Sequence, residues 1–385
     1  MKSSIQIINS KGEAASGFKQ EGWDWNRYPG TTVIDLPFKE LEPKIELLMF
    51  RSDETFAGGV TLGDNGVFGM KLNESKGANS DGAREKTGFP GKLKANKSVF
   101  SFGEKLICIG TGISSVDSVN PVQTNLFQNY LEKTSAPVVS SEGKSISTFP
   151  YQSSMEVVGN SGKWLIDAYQ NGYYILSPGK IEIKKQAQES YNNAYSTNTG
   201  KMNPKAKDDT VTKGNYASAW IDHGKAPTAA SYEYVIYPGL EKGDVKSFEK
   251  KIKTDKSYQI VRADNAAHIV RDNETSTTGF VIFDAAKDVD VDVLKSVSVP
   301  SLLMIKKEAK GITISAVQPD LNFSDTKDLN VSGYSMPVEL SIVLKGKWKL
   351  NDGSTVKSIS VADNNTQITI TCRHGFSSQI NLVKE

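Results

Sequence analysis

Residues 22–32 read GWDWNRYPGTT. Tryptophan has a very large contact area, so Trp23 and Trp25 either bury the edge of a core or form a floor on which a sugar ring stacks. Elsewhere the groups able to do chemistry are sparse. The three histidines, His223, His268 and His374, are too scattered for a metal site. His223, in SAWIDHGKAP, reads as a structural residue at a strand end ahead of a general base. Asp288, Asp290 and Asp292 alternate as calcium ligands do, but the glycine and the final glutamate of an EF-hand loop are missing, and a solvated face is the expectation. Glu74 and Glu85 stand alone in a polar segment, where solvated charge is the simplest reading. No P-loop, strand-associated GxGxxG, HExxH, CxxC pair or GxSxG occurs.

Positioning these groups falls to strands. Short β-branched or aromatic runs such as TTVIDL, GVFGMKL, KSVFSFG, KLICIGTGI, GYYILS and YEYVIYPG recur between Gly, Asn, Asp and Ser. The chain is therefore predicted to be all-β, with alternation placing Val33, Ile107, Ile109, Ile175, Val235 and Ile314 inside antiparallel sandwiches. Helix is expected only in connectors, at 125–133, 244–253 and 288–297. The segments 73–96 and 184–215 are long and polar, and as loops they would be binding elements or plain flexible connections. No internal repeat of fixed period is present.

A chain of 385 residues exceeds what one core serves, so at least two domains are expected. A change of pattern near residue 300 puts the division at 295/296, with a large sandwich over 1–295 and a small one over 296–385. A net charge of +2 argues against a duplex nucleic-acid partner, and the apolar runs are too short to span a membrane. The first residues lack the continuous apolar stretch of a secretory signal. Cys108 and Cys372 sit in apolar runs as buried free thiols do, with a disulfide between them left open.

The stretch GWDWNRYPGTTVIDLPFKEL resembles the opening of the large β-sandwich of polysaccharide lyase family 8. Four later stretches agree in order and spacing: KANKSVFSFGEKLICIGTGISS (94–115), NLFQNYL (125–131), NYASAWIDHGKAPTAASYEYVIYPG (215–239) and GITISAVQPDLN (311–322). EGWDWNR, SAWIDHG and SAVQPDLN are most similar to the chondroitin ABC lyases of that family. The resemblance implies a large antiparallel sandwich followed by a small one, and an N-terminal α/α toroid that is not recognisable here.

It also implies a glycosaminoglycan lyase acting by β-elimination at uronic acid. Most of the catalytic groups, an asparagine, a histidine, a tyrosine and an arginine, would belong to the toroid, and none can be assigned to this sequence. The β-domain would supply one glutamate, for which Glu85 is the nearest match and Glu74 the runner-up. Arg84 and Lys86 beside it would suit a sulfated substrate. Trp23 and Trp25 would brace the sandwich against the toroid, and Arg27 would make an inter-domain ion pair or, less favoured, a substrate contact. A periplasmic or secreted monomer is implied, with no cofactor, and any divalent-cation requirement is left open. The alternative is a non-catalytic carbohydrate-binding or architectural β-protein.

Overall fold

β-Branched and aromatic runs become strands along the whole chain, because their stiff side chains suit a pleated, buried surface. The computed structural model describes residues 19, 21–41, 50–75, 77–79, 91–141, 143–159, 161–191, 211–240, 245–286, 288–322 and 335–385. In chain order the first strands are β1 (Thr32–Ile34), β2 (Phe50–Ser52), β3 (Ala57–Leu62), β4 (Asn65–Asn73), β5 (Gly77–Asn79), β6 (Lys94–Phe102), β7 (Lys105–Ser114), β8 (Pro121–Tyr130) and β9 (Val138–Ser140). There follow β10 (Ser145–Ile146), β11 (Tyr151–Val157), β12 (Lys163–Ile166), β13 (Gly172–Ile175), β14 (Gly179–Tyr191), β15 (Val211–Lys225), β16 (Ala230–Tyr237) and, after helix α1 (Val245–Thr254), β17 (Tyr258–Ala263). The rest are β18 (Ala267–Asp272), β19 (Thr277–Ile282), β20 (Leu294–Val297), β21 (Ser301–Lys307), β22 (Gly311–Val317), β23 (Val338–Lys345), β24 (Trp348–Asp352), β25 (Val356–Ala362), β26 (Asn365–Cys372) and β27 (Ser378–Lys384). Among the described residues no helix is long and apolar enough to cross a membrane.

The chain forms two compact units, neither continuous in sequence. Unit 1 holds residues 1–53, 73–94 and 113–248, and unit 2 holds 54–72, 95–112 and 249–385. This differs from a division at 295/296. The physical reason is strand pairing: β19 pairs antiparallel with β21, so strands on both sides of residue 296 share one sheet. Periodicity reveals strands but not their partners.

In unit 1 a five-stranded antiparallel sheet runs β1-β8-β15-β14-β11, and a second run of strands is ordered β10-β9-β12-β13-β16. Phe127 of β8 meets Tyr173 of β13 with ring centroids 5.3 Å apart, which marks the core between them. In unit 2 the seven-stranded sheet β17-β18-β19-β21-β22-β27-β24 packs on the four-stranded sheet β20-β23-β26-β25. Ile269, Phe280, Leu303, Ile314 and Ile380 of the first meet Leu340, Ile342, Ile368 and Ile370 of the second in one apolar layer.

Ile107, Ile109, Ile175, Val235 and Ile314 are fully buried. Val33 is only half-buried, because in the short edge strand β1 it is Thr32 that turns inward, within 2.9 Å of the Thr124 hydroxyl. Residues 245–254 are helical as expected, but 121–130 is a strand. β8 is covered on both faces, so its residues from Val122 to Asn129 are buried whether polar or apolar and the period-two signal vanishes. The third expected helix is a turn followed by β20. Much of 184–215 belongs to the long hairpin arms β14 and β15, paired from Lys180 with Asp222 to Tyr191 with Val211. Cys108 and Cys372 are both buried thiols and are not joined in a disulfide.

Candidate functional site

Residues 21–36 form a strap in unit 1, of which 21–31 cross the outer face of the five-stranded sheet and 32–34 join its edge as β1. Side-chain amides hold its backbone. Gln128 donates from Nε2 to the carbonyls of Asp24 (3.1 Å) and Arg27 (2.9 Å) and accepts the Asp24 N–H at 2.9 Å. Asn125 donates to the Asn26 carbonyl at 2.7 Å, and Gln188 to the Gly22 carbonyl at 3.0 Å. Asn26 in turn clamps Leu36, donating to its carbonyl at 2.8 Å and accepting its N–H at 3.0 Å. A non-strand backbone crossing a sheet has no ladder partners, and these amides supply them.

Two glycines make the crossing possible. A Cβ on Gly22 would lie 2.2 Å from the backbone nitrogen of Gly214, and one on Gly214 would lie 2.3 Å from the Glu21 carbonyl oxygen. The Tyr-Pro-Gly-Thr sequence then turns the chain, with Thr31 N–H donating to Tyr28 O at 3.1 Å and Gly30 at a φ of 78°. Proline second and glycine third are the residues such a turn demands.

Trp23 is buried, edge-on to Tyr28 and to Tyr216 at centroid distances of 5.8 and 6.1 Å. Trp25 is half-buried and donates from Nε1 to Ser190 Oγ at 3.1 Å. Arg27 is buried, with its guanidinium carbon 4.1 Å from the centroid of the Trp220 ring. It forms an ion pair with Asp24 and a longer one with Asp35 at 3.4 Å. Both acids belong to the strap itself. Burial pushes the Asp35 carboxyl up, and the Arg27 charge draws it partly back. Tyr28 remains 44% exposed, so the strap shows solvent an aromatic edge.

Glu85 and Arg84 lie outside the described residues. Glu74 is half-buried, and burial holds its carboxyl above the ordinary range, so it keeps its proton to higher pH than a solvated glutamate. Its N–H donates to the Leu93 carbonyl at 2.8 Å, which ties together the described residues on either side of the polar segment. Gly91 reaches the strap's end, since a Cβ there would come within 2.1 Å of Ile34 Cδ1.

The histidines serve structure. The His223 Nε2 lies 2.8 Å from Thr124 Oγ1, and the ring packs near Tyr232. His268, in unit 2, is fully buried, its ring nitrogens 2.7 Å from Ser98 Oγ and 3.0 Å from Thr111 Oγ1. Burial lowers its pKa to about 3. Of the three aspartates, Asp288 and Asp290 are exposed as expected. Asp292 is half-buried and binds Arg271 at 2.9 Å, Lys307 at 3.1 Å and the Thr278 hydroxyl at 2.7 Å. Among the described residues no three His, Cys, Asp or Glu side chains are grouped as metal ligands.

Sequence reasoning missed Trp220, Asn125, Gln128 and Gln188. The available signal was amide residues inside an otherwise apolar strand, which must find partners when buried.

The architecture is the β-sandwich arrangement of polysaccharide lyases. It superposes on a Paenibacillus xanthan lyase with a TM-score of 0.70 at 20% identity, over 94% of this chain and 31% of that one. A Streptomyces coelicolor A3 chondroitin AC lyase gives 0.64 at 16% identity, over 98% and 42%. The profile of polysaccharide lyase family 8, super-sandwich domain, matches residues 21–249, and the chain belongs to that family. It is 32% identical over 380 residues to the chondroitin sulfate ABC endolyase of Proteus vulgaris, covering 98% of this chain and 34% of that protein. It is 30% identical to the chondroitin sulfate ABC exolyase of Bacteroides thetaiotaomicron, covering 96% and 35%. The chain thus spans about a third of the length of these curated relatives.

Proposed function

We propose that this chain is the β-sandwich portion of a lyase that cleaves chondroitin or dermatan sulfate by β-elimination at uronic acid. The observation that carries the reading is 32% identity to a chondroitin sulfate ABC endolyase along 98% of the chain. Elimination removes the C5 proton of a uronate, a poor acid because the neighbouring carboxylate resists further negative charge. One group must neutralise that carboxylate, a base must take the proton, and an acid must protonate the departing O4 oxygen.

In this reading a helical toroid supplies the asparagine, histidine, tyrosine and arginine, and the sandwich supplies a glutamate that orients them. Glu85 takes that role, with Glu74 as the alternative, and the charge of Arg84 suits an anionic substrate. The strap stiffens the side of the sandwich that meets the toroid. Trp23, Arg27 and Trp220 hold it in place, and Trp25 and Tyr28 offer the contact. The complete protein acts as a monomer, outside the cytoplasm.

The test is release of unsaturated uronate, read by its ultraviolet absorbance. The complete protein should produce it from chondroitin sulfate, and residues 1–385 alone should not, having neither base nor acid. Turnover by residues 1–385 alone would refute the division of labour. No product from the complete protein would refute the lyase reading.

A further inference from the structure

Unit 2 contains a groove of about 800 Å³. Its floor is a single row of the seven-stranded sheet, in which Thr277 stands opposite Lys306, Lys306 opposite Thr313, and Thr313 opposite Asn381. The residues flanking this row along the strands, Ile305, Ile312, Ile314, Ile380 and Leu382, belong to the sandwich core. Side chains alternate across a strand, so the row points out of the sandwich.

Further along the same face the sheet is covered by the β3–β4 hairpin. The fit there is close: a Cβ on Gly58 would come within 2.9 Å of Pro319, and one on Gly69 within 2.4 Å of Val281. The hairpin ends at Leu62–Asn65, whose tip forms one wall of the groove, and the β21–β22 turn at Glu308–Gly311 lines it as well. The floor is recessed rather than simply solvated, since Thr277, Thr313 and Asn65 are 1%, 6% and 7% exposed. It is also held in place: Thr313 Oγ1 lies 3.0 Å from both Glu308 Oε1 and Asn381 Oδ1, and Asn65 Nδ2 donates to Thr275 Oγ1 at 2.9 Å.

The volume is that of a ligand cleft, but the lining is not apolar. Hydroxyls, amides and ammonium groups spaced by the strand separation of about 4.8 Å match a chain of polar rings. Among the described residues no aromatic ring lines the groove, so stacking contributes nothing and affinity must come from hydrogen bonds and charge. Lys306 and Lys310 are exposed cations, and Asp64 and Glu308 are the acids beside them. A neutral glycan would gain little. A chain that alternates anionic groups with hydroxyls would set the first against the lysines and the second against the carboxylates.

We propose that this groove is a secondary saccharide-binding surface that holds a segment of an acidic, hydroxyl-rich polysaccharide without cutting it. The choice of a polysaccharide rests on the lyase reading above, and the groove itself on its geometry.

The test is binding of the 385-residue chain to end-tethered chondroitin sulfate by biolayer interferometry. Lys306→Ala/Lys310→Ala removes two exposed side chains and should leave the fold intact while weakening binding about tenfold, the scale of two exposed charge contacts. Lys246→Ala/Lys250→Ala, on the exposed face of α1, removes the same charge elsewhere and should change nothing. Equal weakening by both pairs, no effect of the first pair, or no binding by the unaltered chain would each overturn the proposal. Competition by dextran as strong as that by free chondroitin sulfate would overturn the acidic ligand class. Unsaturated product from the complete protein is scored separately. Its absence sinks the lyase reading, whereas unchanged tethering in Lys306→Ala/Lys310→Ala sinks only the groove.

Discussion

The guanidinium of Arg27 lies over the face of Trp220, 4.1 Å from the ring centroid, and the two residues, 193 apart in sequence, meet only through folding. Arg27 comes from the strap and Trp220 from the middle of β15, so this contact fastens an irregular segment to a regular sheet. Cation and ring attract, and the flat guanidinium keeps its fork free for Asp24 and Asp35.

Arg27→Met should therefore destabilise the chain strongly. It leaves Asp24 and Asp35 without their cation, and loss of one partner of a buried pair costs about 3–5 kcal/mol. Arg27→Lys should recover only part of this, because an ammonium cannot stack and fork together. The check is the urea midpoint of the two variants. Equal midpoints for Arg27→Lys and the unaltered chain would contradict the role given to the planar fork.

Gln128 should matter as much as a core residue of similar size. Its amide serves two strap carbonyls and one N–H, and its Oε1 also accepts from Gln188 at 2.8 Å. Gln128→Leu keeps the volume but orphans these groups, each costing about 1–3 kcal/mol when buried. Protease cleavage within 21–36 should speed up in this variant ahead of cleavage elsewhere. Uniform acceleration across the chain would mean that Gln128 supports the sheet and not the strap.

His268 makes unit 2 acid-sensitive. Its folded pKa of about 3 lies below the 6.5 of a solvated histidine, so between these values the unfolded chain binds the extra proton. Stability is then complete above pH 6.5 and is lost as pH falls toward 3, at up to about 1.4 kcal/mol per pH unit. Asp264 is the charged group that opposes the shift. His268→Gln should flatten the dependence of the melting temperature between pH 6.5 and 4. An unchanged slope would assign the acid sensitivity to carboxylates instead.

Strand content and much of the core were readable because Ile107, Ile109 and Ile175 follow the period of a half-buried strand. β8 was not, since burial on both faces makes Leu126, Phe127 and Tyr130 look like one side of a helix. The type of Trp23 left a core edge and a sugar-stacking floor both open, and the fold shows it buried. The partners of the strap could not, because Gln128 and Gln188 lie 104 and 166 residues away from the residues they bind. Long-range pairing likewise hid the interleaving of the two units. Arg27 was expected, from the resemblance, to make an inter-domain ion pair or a substrate contact, and only the fold brings Asp35 within its reach.

The glutamate assignment yields the most direct test of function. In the complete protein Glu85→Gln should lower kcat by about one to two decades with little change in KM. A carboxylate that orients the toroid's catalytic groups acts on the reacting geometry, where a misplacement of about 1 Å can cost on the order of a hundredfold. The glutamine keeps the shape but weakens a charge-assisted hydrogen bond worth about 1.5–3 kcal/mol, which corresponds to that range of rate. Most sugar contacts lie along the toroid cleft in this reading and survive, so binding is spared. Glu74→Gln is the paired measurement. Burial disfavours the charged form of Glu74, so a neutral amide there should be mild. If Glu74→Gln is instead the damaging change, the two glutamates exchange roles, and the half-buried Glu74 is the one that orients the catalytic groups.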